Sequence, residues 1–184
     1  MIYLSLDLEM NQPSGAIVQI GAVVGEVLTG EILGTFSKYV SLPEGEELNP
    51  FIIKLCNIDL DTYESEKIDL KDAYIALLDF RSKYEVERNP ITWGGGDSDY
   101  LYKQTYVACG NELKNWPFGR RWVDIKTVFQ MYCIANGIKH QSGLSKSLTK
   151  LGLRFSGTKH NALDDAKNTF YAATKLLTKM INVA

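Results

Sequence analysis

Hydrophobic and polar residues alternate over the first ten positions. Ile2, Leu4, Leu6 and Leu8 fall on one side of an extended chain and Tyr3, Ser5, Asp7 and Glu9 on the other. This period of two predicts a buried strand, Met1 to Met10. Pro13 and Gly15 mark a turn, the β-branched run Ile17 to Val27 a second strand, and Glu31 to Leu42 a third, with Thr29 and Gly30 turning between them. Three strands joined by short turns predict an antiparallel meander. The acidic stretch from Pro43 to Lys67 reads as a loop with one helical turn in the apolar island Phe51 to Ile58. The period then changes. Leu70, Ala73, Leu77, Phe80 and Tyr84 recur at intervals of three and four, predicting an amphipathic helix capped by Asp69.

Short strands at Ile91–Trp93 and Trp122–Val123 alternate with predicted helices over Asp97–Leu113, from Asp124 to Gly137, over Leu144–Leu151, and from Asn161 through Leu163, Ala166, Phe170, Ala173 and Leu177. A meander followed by alternating strands and helices predicts an α/β fold, a mixed sheet covered on its faces. The 184 residues suit one domain, 1–184.

No apolar run is long enough to span a bilayer, so no membrane partner is expected. The apolar N-terminus carries two acids and no basic region, which argues against a cleavable signal and for a cytoplasmic location. Cys56, Cys109 and Cys133 are scattered, without zinc-ligand spacing, and read as reduced thiols. The net charge of −2 hides an asymmetry. Residues 1–92 carry 7 Lys+Arg against 16 Asp+Glu, residues 93–184 carry 13 against 6. An acidic half and a basic half can bring a cation and a polyanion to one fold.

Asp7 and Glu9 share a strand face, where burial is costly unless water or a cation compensates it. Asp97 follows a short strand and the glycines Gly94 to Gly96; Asp165 lies in the first turn of the last helix. Both stand at element ends, where sites are built. Each has a plain alternative, since acids favour helix caps and first turns. His160, five residues before Asp165, adds a group able to take a proton near neutral pH. His140 reads as a surface residue without a role.

The segments LDLE around Asp7 and Glu9, IVQIGAV (Ile17 to Val23), WGGGDSDYL (Trp93 to Leu101) and HNALDDA (His160 to Ala166) together resemble the DEDDh (DnaQ-like) 3'–5' exonucleases. That superfamily includes RNase T, the polymerase III proofreading subunit and KapD-like enzymes. The resemblance implies an RNase H-like fold, a five-stranded mixed central sheet flanked by helices. By motif position it implies that Asp7, Glu9, Asp97 and Asp165 hold two divalent cations, Mg²⁺ or Mn²⁺, and that His160 is the general base. Asp97 rather than Asp99 fits because Leu101 stands four residues on; Asp165 rather than Asp164 closes HxAxxD.

The implied activity is metal-dependent release of nucleoside 5'-monophosphates from the 3' end of a single strand. The likeness to the RNase T and KapD branches favours RNA over DNA. Met10 and Asn11 stand where the proofreading branch often has threonines and a glycine, and with Tyr100 and His160 they are the expected contacts to the terminal nucleotide. Tyr102, Tyr106, Trp116, Phe118, Arg120 and Arg121 are further candidates for gripping a strand. The alternative is a non-catalytic nucleic-acid-binding module on the same fold. Oligomeric state is left open, a homodimer included.

Overall fold

The computed structural model describes residues 1–110, 116–139 and 143–181. Five strands pair in the order β3-β2-β1-β4-β5. β1 (Ile2–Met10), β2 (Ile17–Glu26) and β3 (Glu31–Tyr39) form the antiparallel meander that the turn residues predict. β4 (Ile91–Thr92) runs parallel to β1, and β5 (Val123–Asp124) parallel to β4.

Both faces of the sheet are covered, which is why β2 is buried over nearly its whole length. On one face Leu4, Leu6 and Leu8 of β1 meet Ala73, Leu77 and Phe80 of α3 (Leu70–Ser82) and Leu101 of α4 (Asp97–Cys109). On the other, Val23 and Ile91 meet Phe129 of α5 (Ile125–Ala135), Leu148 of α6 (Leu144–Lys150) and the stripe Phe170, Ala173, Leu176 of α7 (Ala162–Ile181).

Two glycines set how close α7 comes. A Cβ on Gly21 would lie 2.1 Å from the Ala162 carbonyl carbon, and one on Gly25 2.4 Å from Cζ of Phe170. Four strand residues span about 13 Å and eight helical residues about 12 Å. Helix and strand therefore run together from the first glycine to the second, and α7 starts over the middle of the meander.

The structure departs from the expected loop at Pro43 to Lys67, which holds two short helices, α1 (Pro50–Leu55) and α2 (Leu60–Glu66). Their caps explain them. The Asn49 side chain accepts from the Phe51 N–H, with Pro50 in the first turn, and the Asp59 carboxylate accepts from the Thr62 N–H. Ile52, Cys56, Ile58 and Tyr63 pack with Val18 as a third apolar cluster. Asp69 does not cap α3 with its side chain; it accepts from the Ser41 hydroxyl at 2.9 Å instead. Helix α4 ends at Cys109, and the rest of the helix expected to Leu113 falls outside the described residues, as does His140. Among the described residues no helix is long and apolar enough to cross a membrane.

Candidate active site

Four acids arrive at one end of the sheet by three routes, β1, α4 and α7. Asp7 and Glu9 project from β1 toward α7, the side on which the Ser5 hydroxyl donates to the Ala166 carbonyl at 2.9 Å. Opposite them in register stand Gly21 and Gln19 of β2. The bare glycine admits the start of α7. Buried Gln19 fixes it, its side-chain oxygen accepting the Ala162 N–H at 3.0 Å. The first turn of α7 is thereby held above the two strand acids and delivers Asp165.

Asp164 and Asp165 separate into different roles. One oxygen of Asp164 accepts from the Thr158 N–H at 2.8 Å and the other lies 3.6 Å from the Lys167 ammonium, so this carboxylate is spent on the preceding turn. Asp165 accepts from the backbone N–H of His160 at 3.1 Å. His160 is exposed, with its backbone in the left-handed region at φ 59°. Ligand atoms of Glu9, His160 and Asp165 lie within 4.8 Å of one another.

Asp97 opens α4 directly after the three glycines. Gly94, at φ +103°, donates its N–H to Asp124 at 3.0 Å, while the Thr92 hydroxyl donates to the Gly94 carbonyl at 2.8 Å. Asp124 also caps α5, as its position predicts, accepting from the Lys126 and Thr127 N–H groups. One carboxylate thus anchors both the glycine loop and the next helix.

Burial raises the pKa of all four carboxyl groups, and neighbouring charges add to it. Burial, then the charges of Asp97, Asp165 and Glu9, hold Asp7 well above the ordinary carboxylate range. Glu9 is pushed up to about 7 by burial first, with Asp165 and Asp97 adding, although the Cys56 thiol donates to it at 3.4 Å and opposes the shift. Asp97 rises to about 7, through burial and the nearby Asp124. Asp165 rises to about 6, mainly through burial, with the His160 N–H pulling the other way. Hard oxygen donors crowded at such a cost suit Mg²⁺ or Mn²⁺, which would replace both protons and repulsion. The residues present fit that group.

Among the expected substrate contacts, Met10 is half-buried at the end of β1, just past a register shift that re-aims the strand after Glu9. Asn11 is buried, and its amide is committed: it donates to the Glu47 carbonyl at 3.0 Å and accepts from the Asn49 N–H at 2.9 Å. Tyr100 is exposed, its ring edge 3.2 Å from where a Gly15 Cβ would stand, on the turn that follows β1. Phe118 is buried in the core, whereas Tyr102, Tyr106, Arg120 and Arg121 are exposed. Sequence reasoning missed the Gln19 anchor, although a lone amide in an apolar strand was a signal for it. Cys56, brought to Glu9 by α1, had none.

With fold and acids in place, the architecture is an RNase H-like mixed sheet with carboxylates gathered at one end. The RNase T exonuclease family matches residues 4–173, and the chain belongs to that family. It is 28% identical over 173 residues to human 3'-5' exoribonuclease 1, covering 88% of this chain and 46% of that one. It is 25% identical over 182 residues to mouse ERI1 exoribonuclease 2, covering 89% and 26% respectively. The chain thus spans between a quarter and a half of the length of these two relatives. Among solved structures, the nuclease domain of 3'hExo, a DEDDh family member bound to rAMP, superposes with a TM-score of 0.77 at 22% identity, over 97% of this chain and 92% of that one. Cell-death related nuclease 4 gives 0.78 at 18% identity, over 100% and 64%. These likenesses show the same fold, the five-stranded mixed sheet flanked by helices.

Proposed function

We propose that the chain hydrolyses single-stranded nucleic acid from its 3' end, RNA in preference to DNA, releasing nucleoside 5'-monophosphates. The observation that carries this reading is the meeting of Asp7, Glu9, Asp97 and Asp165 from three separate segments, with the exposed His160 beside Glu9 and Asp165. The preference for RNA is supported by the relatives, which are named exoribonucleases.

Asp7, Glu9, Asp97 and Asp165 would hold two divalent ions, which when bound stabilise the charge that develops on the attacking and leaving oxygens. His160 is exposed on the solvent side of the acids. Its imidazole accepts the proton of the water that attacks phosphorus, the P–O3' bond breaks, and the 3'-oxygen leaves to be protonated. The Asp165 carboxylate fixes the backbone at His160, so the base is aimed by the same helix turn that supplies an acid. Tyr100 offers an exposed ring for stacking on a terminal base, Met10 an apolar edge beside the acids, and Asn11 holds the loop beneath them.

The test is digestion of single-stranded RNA and DNA of one sequence, labelled at the 5' end, with Mg²⁺, Mn²⁺ or EDTA. A metal-dependent ladder that shortens from the 3' end, faster on RNA, is expected. Intact strands in every lane would leave a binding module and refute the hydrolase.

A further inference from the structure

On the far flank of α4 from Tyr100, the chain presents cationic and aromatic surface that the acid site does not use. Ser98 and Asp99, in the same helical turn as Asp97, form one wall of a 360 Å³ cleft lined further by Tyr102, Trp116, Arg120 and Trp122. A second cleft, also 360 Å³, continues from it through the shared Gly119 and Arg120 and is lined by Arg88, Asn89 and Arg121.

The three arginines are held together by backbone. The Gly119 N–H donates to the Arg88 carbonyl at 2.9 Å, and the Arg121 N–H donates to the Asn89 side chain at 3.3 Å. A Cβ on Gly119 would lie 1.7 Å from that same Asn89 oxygen, so the bare glycine leaves room for the Asn89 side chain between the two segments. All three arginines are exposed, and among the described residues none forms an ion pair with a carboxylate. The Arg81 guanidinium lies 5.7 Å from the ring of Phe118, the residue before Gly119. The aromatic part is pre-set: Trp116 stacks on Tyr74 at 6.0 Å and 8°, with Tyr102 edge-on to it at 5.1 Å. Asp99 is the one acid in the lining, at the end next to Asp97.

Unpaired guanidinium groups clustered on a rigid turn suit phosphates, and aromatic edges beside them suit bases. We propose that this double cleft is a second nucleic-acid site. It holds the strand 5' to the nucleotide being removed, with Arg88, Arg120 and Arg121 on successive phosphates and Tyr102, Trp116 and Trp122 against the bases. The site rests on the reading of the chain as a 3' exonuclease. It predicts that long strands are gripped through contacts that a dinucleotide cannot reach.

The experiment measures binding apart from hydrolysis. Fluorescence anisotropy of a labelled single strand of about 20 nucleotides, in EDTA, compares the natural chain, Arg120→Glu/Arg121→Glu, and a control of equal charge change on other surfaces, Lys38→Glu/Lys146→Glu. The arginine variant is expected to lose affinity about tenfold or more and to flatten the dependence of log Kd on log salt by about 1.4, at about 0.7 per phosphate contact, while the control changes little. With metal, the ratio of kcat/KM for the long strand to that for a dinucleotide should fall by a similar factor. Equal loss in both variants, or none in either, would overturn the site. Should the charge reversal unfold the chain, as read by its melting curve, Arg88→Gln/Arg121→Gln gives the same test. A natural chain that binds through the arginines without cleaving would refute the hydrolase and keep this site; one that cleaves long strands equally well without them would do the reverse.

Discussion

At the scale of single residues, two neighbouring aspartates carry opposite assignments. Asp165→Asn should abolish cleavage, because it removes the charge of a proposed metal ligand and weakens the acceptor that holds His160. Asp164→Asn should leave measurable activity and cost about 1 kcal/mol of stability, since it weakens one hydrogen bond and one ion pair in the turn before α7. Turnover and urea melts of the two variants check both statements; the reverse pattern would exchange the roles. Asp7→Asn should also end activity yet raise the melting temperature of the metal-free chain at high pH, because it removes a carboxyl whose charged form burial and three other carboxylates disfavour. The four acids and the histidine could be named as candidates from the sequence, since each motif keeps its chemistry within a few residues. Asn11 was not: beside Glu9 it looks like a substrate contact, and only the fold shows its amide already bonded to residues 47 and 49.

At the scale of elements, the site depends on how closely α7 lies against β2. Gly21→Ala would set a methyl carbon 2.1 Å from the Ala162 carbonyl carbon. It should destabilise the chain by about 3 kcal/mol and depress activity even where the protein stays folded, because the helix turn carrying Asp165 and His160 must move. A variant with normal stability and normal turnover would refute this packing. Hydrophobic periodicity was enough to predict the meander, α3, α5 and α7, whose stripes are long. The helices α1 and α2 escaped it: each has only one or two turns, so Asn49 and Asp59 as caps matter more than any periodicity. The error had a cost for the site, because α1 brings Cys56 to Glu9.

At the scale of the whole molecule, the acid cluster should dominate how stability responds to pH. Glu9 and Asp97 titrate near 7 and Asp165 near 6, all above their unfolded values, so the folded chain holds protons that the unfolded chain releases. Stability of the metal-free protein therefore falls as pH rises from about 5 to about 8, and its melting temperature should drop by about 5 °C across that window. Mg²⁺ or Mn²⁺ held by these acids would compete with those protons. It should raise the melting temperature most at high pH, with the effect fading as pH falls toward 5. Calorimetry in EDTA and in metal checks the sign, and a metal-free melting temperature that climbs over the same window would contradict it.

The central claim, that metal held by four carboxylates and a proton taken by His160 together cleave the terminal phosphodiester, meets its most direct test in one rate. It is the single-turnover release of the 3'-terminal nucleotide at saturating Mn²⁺ by the natural chain and by His160→Ala. The account predicts a rate lower by about 10²- to 10⁴-fold in the variant, the range of a lost general base, and none from either chain in EDTA. Equal rates for the two chains, or cleavage that survives EDTA, would contradict it.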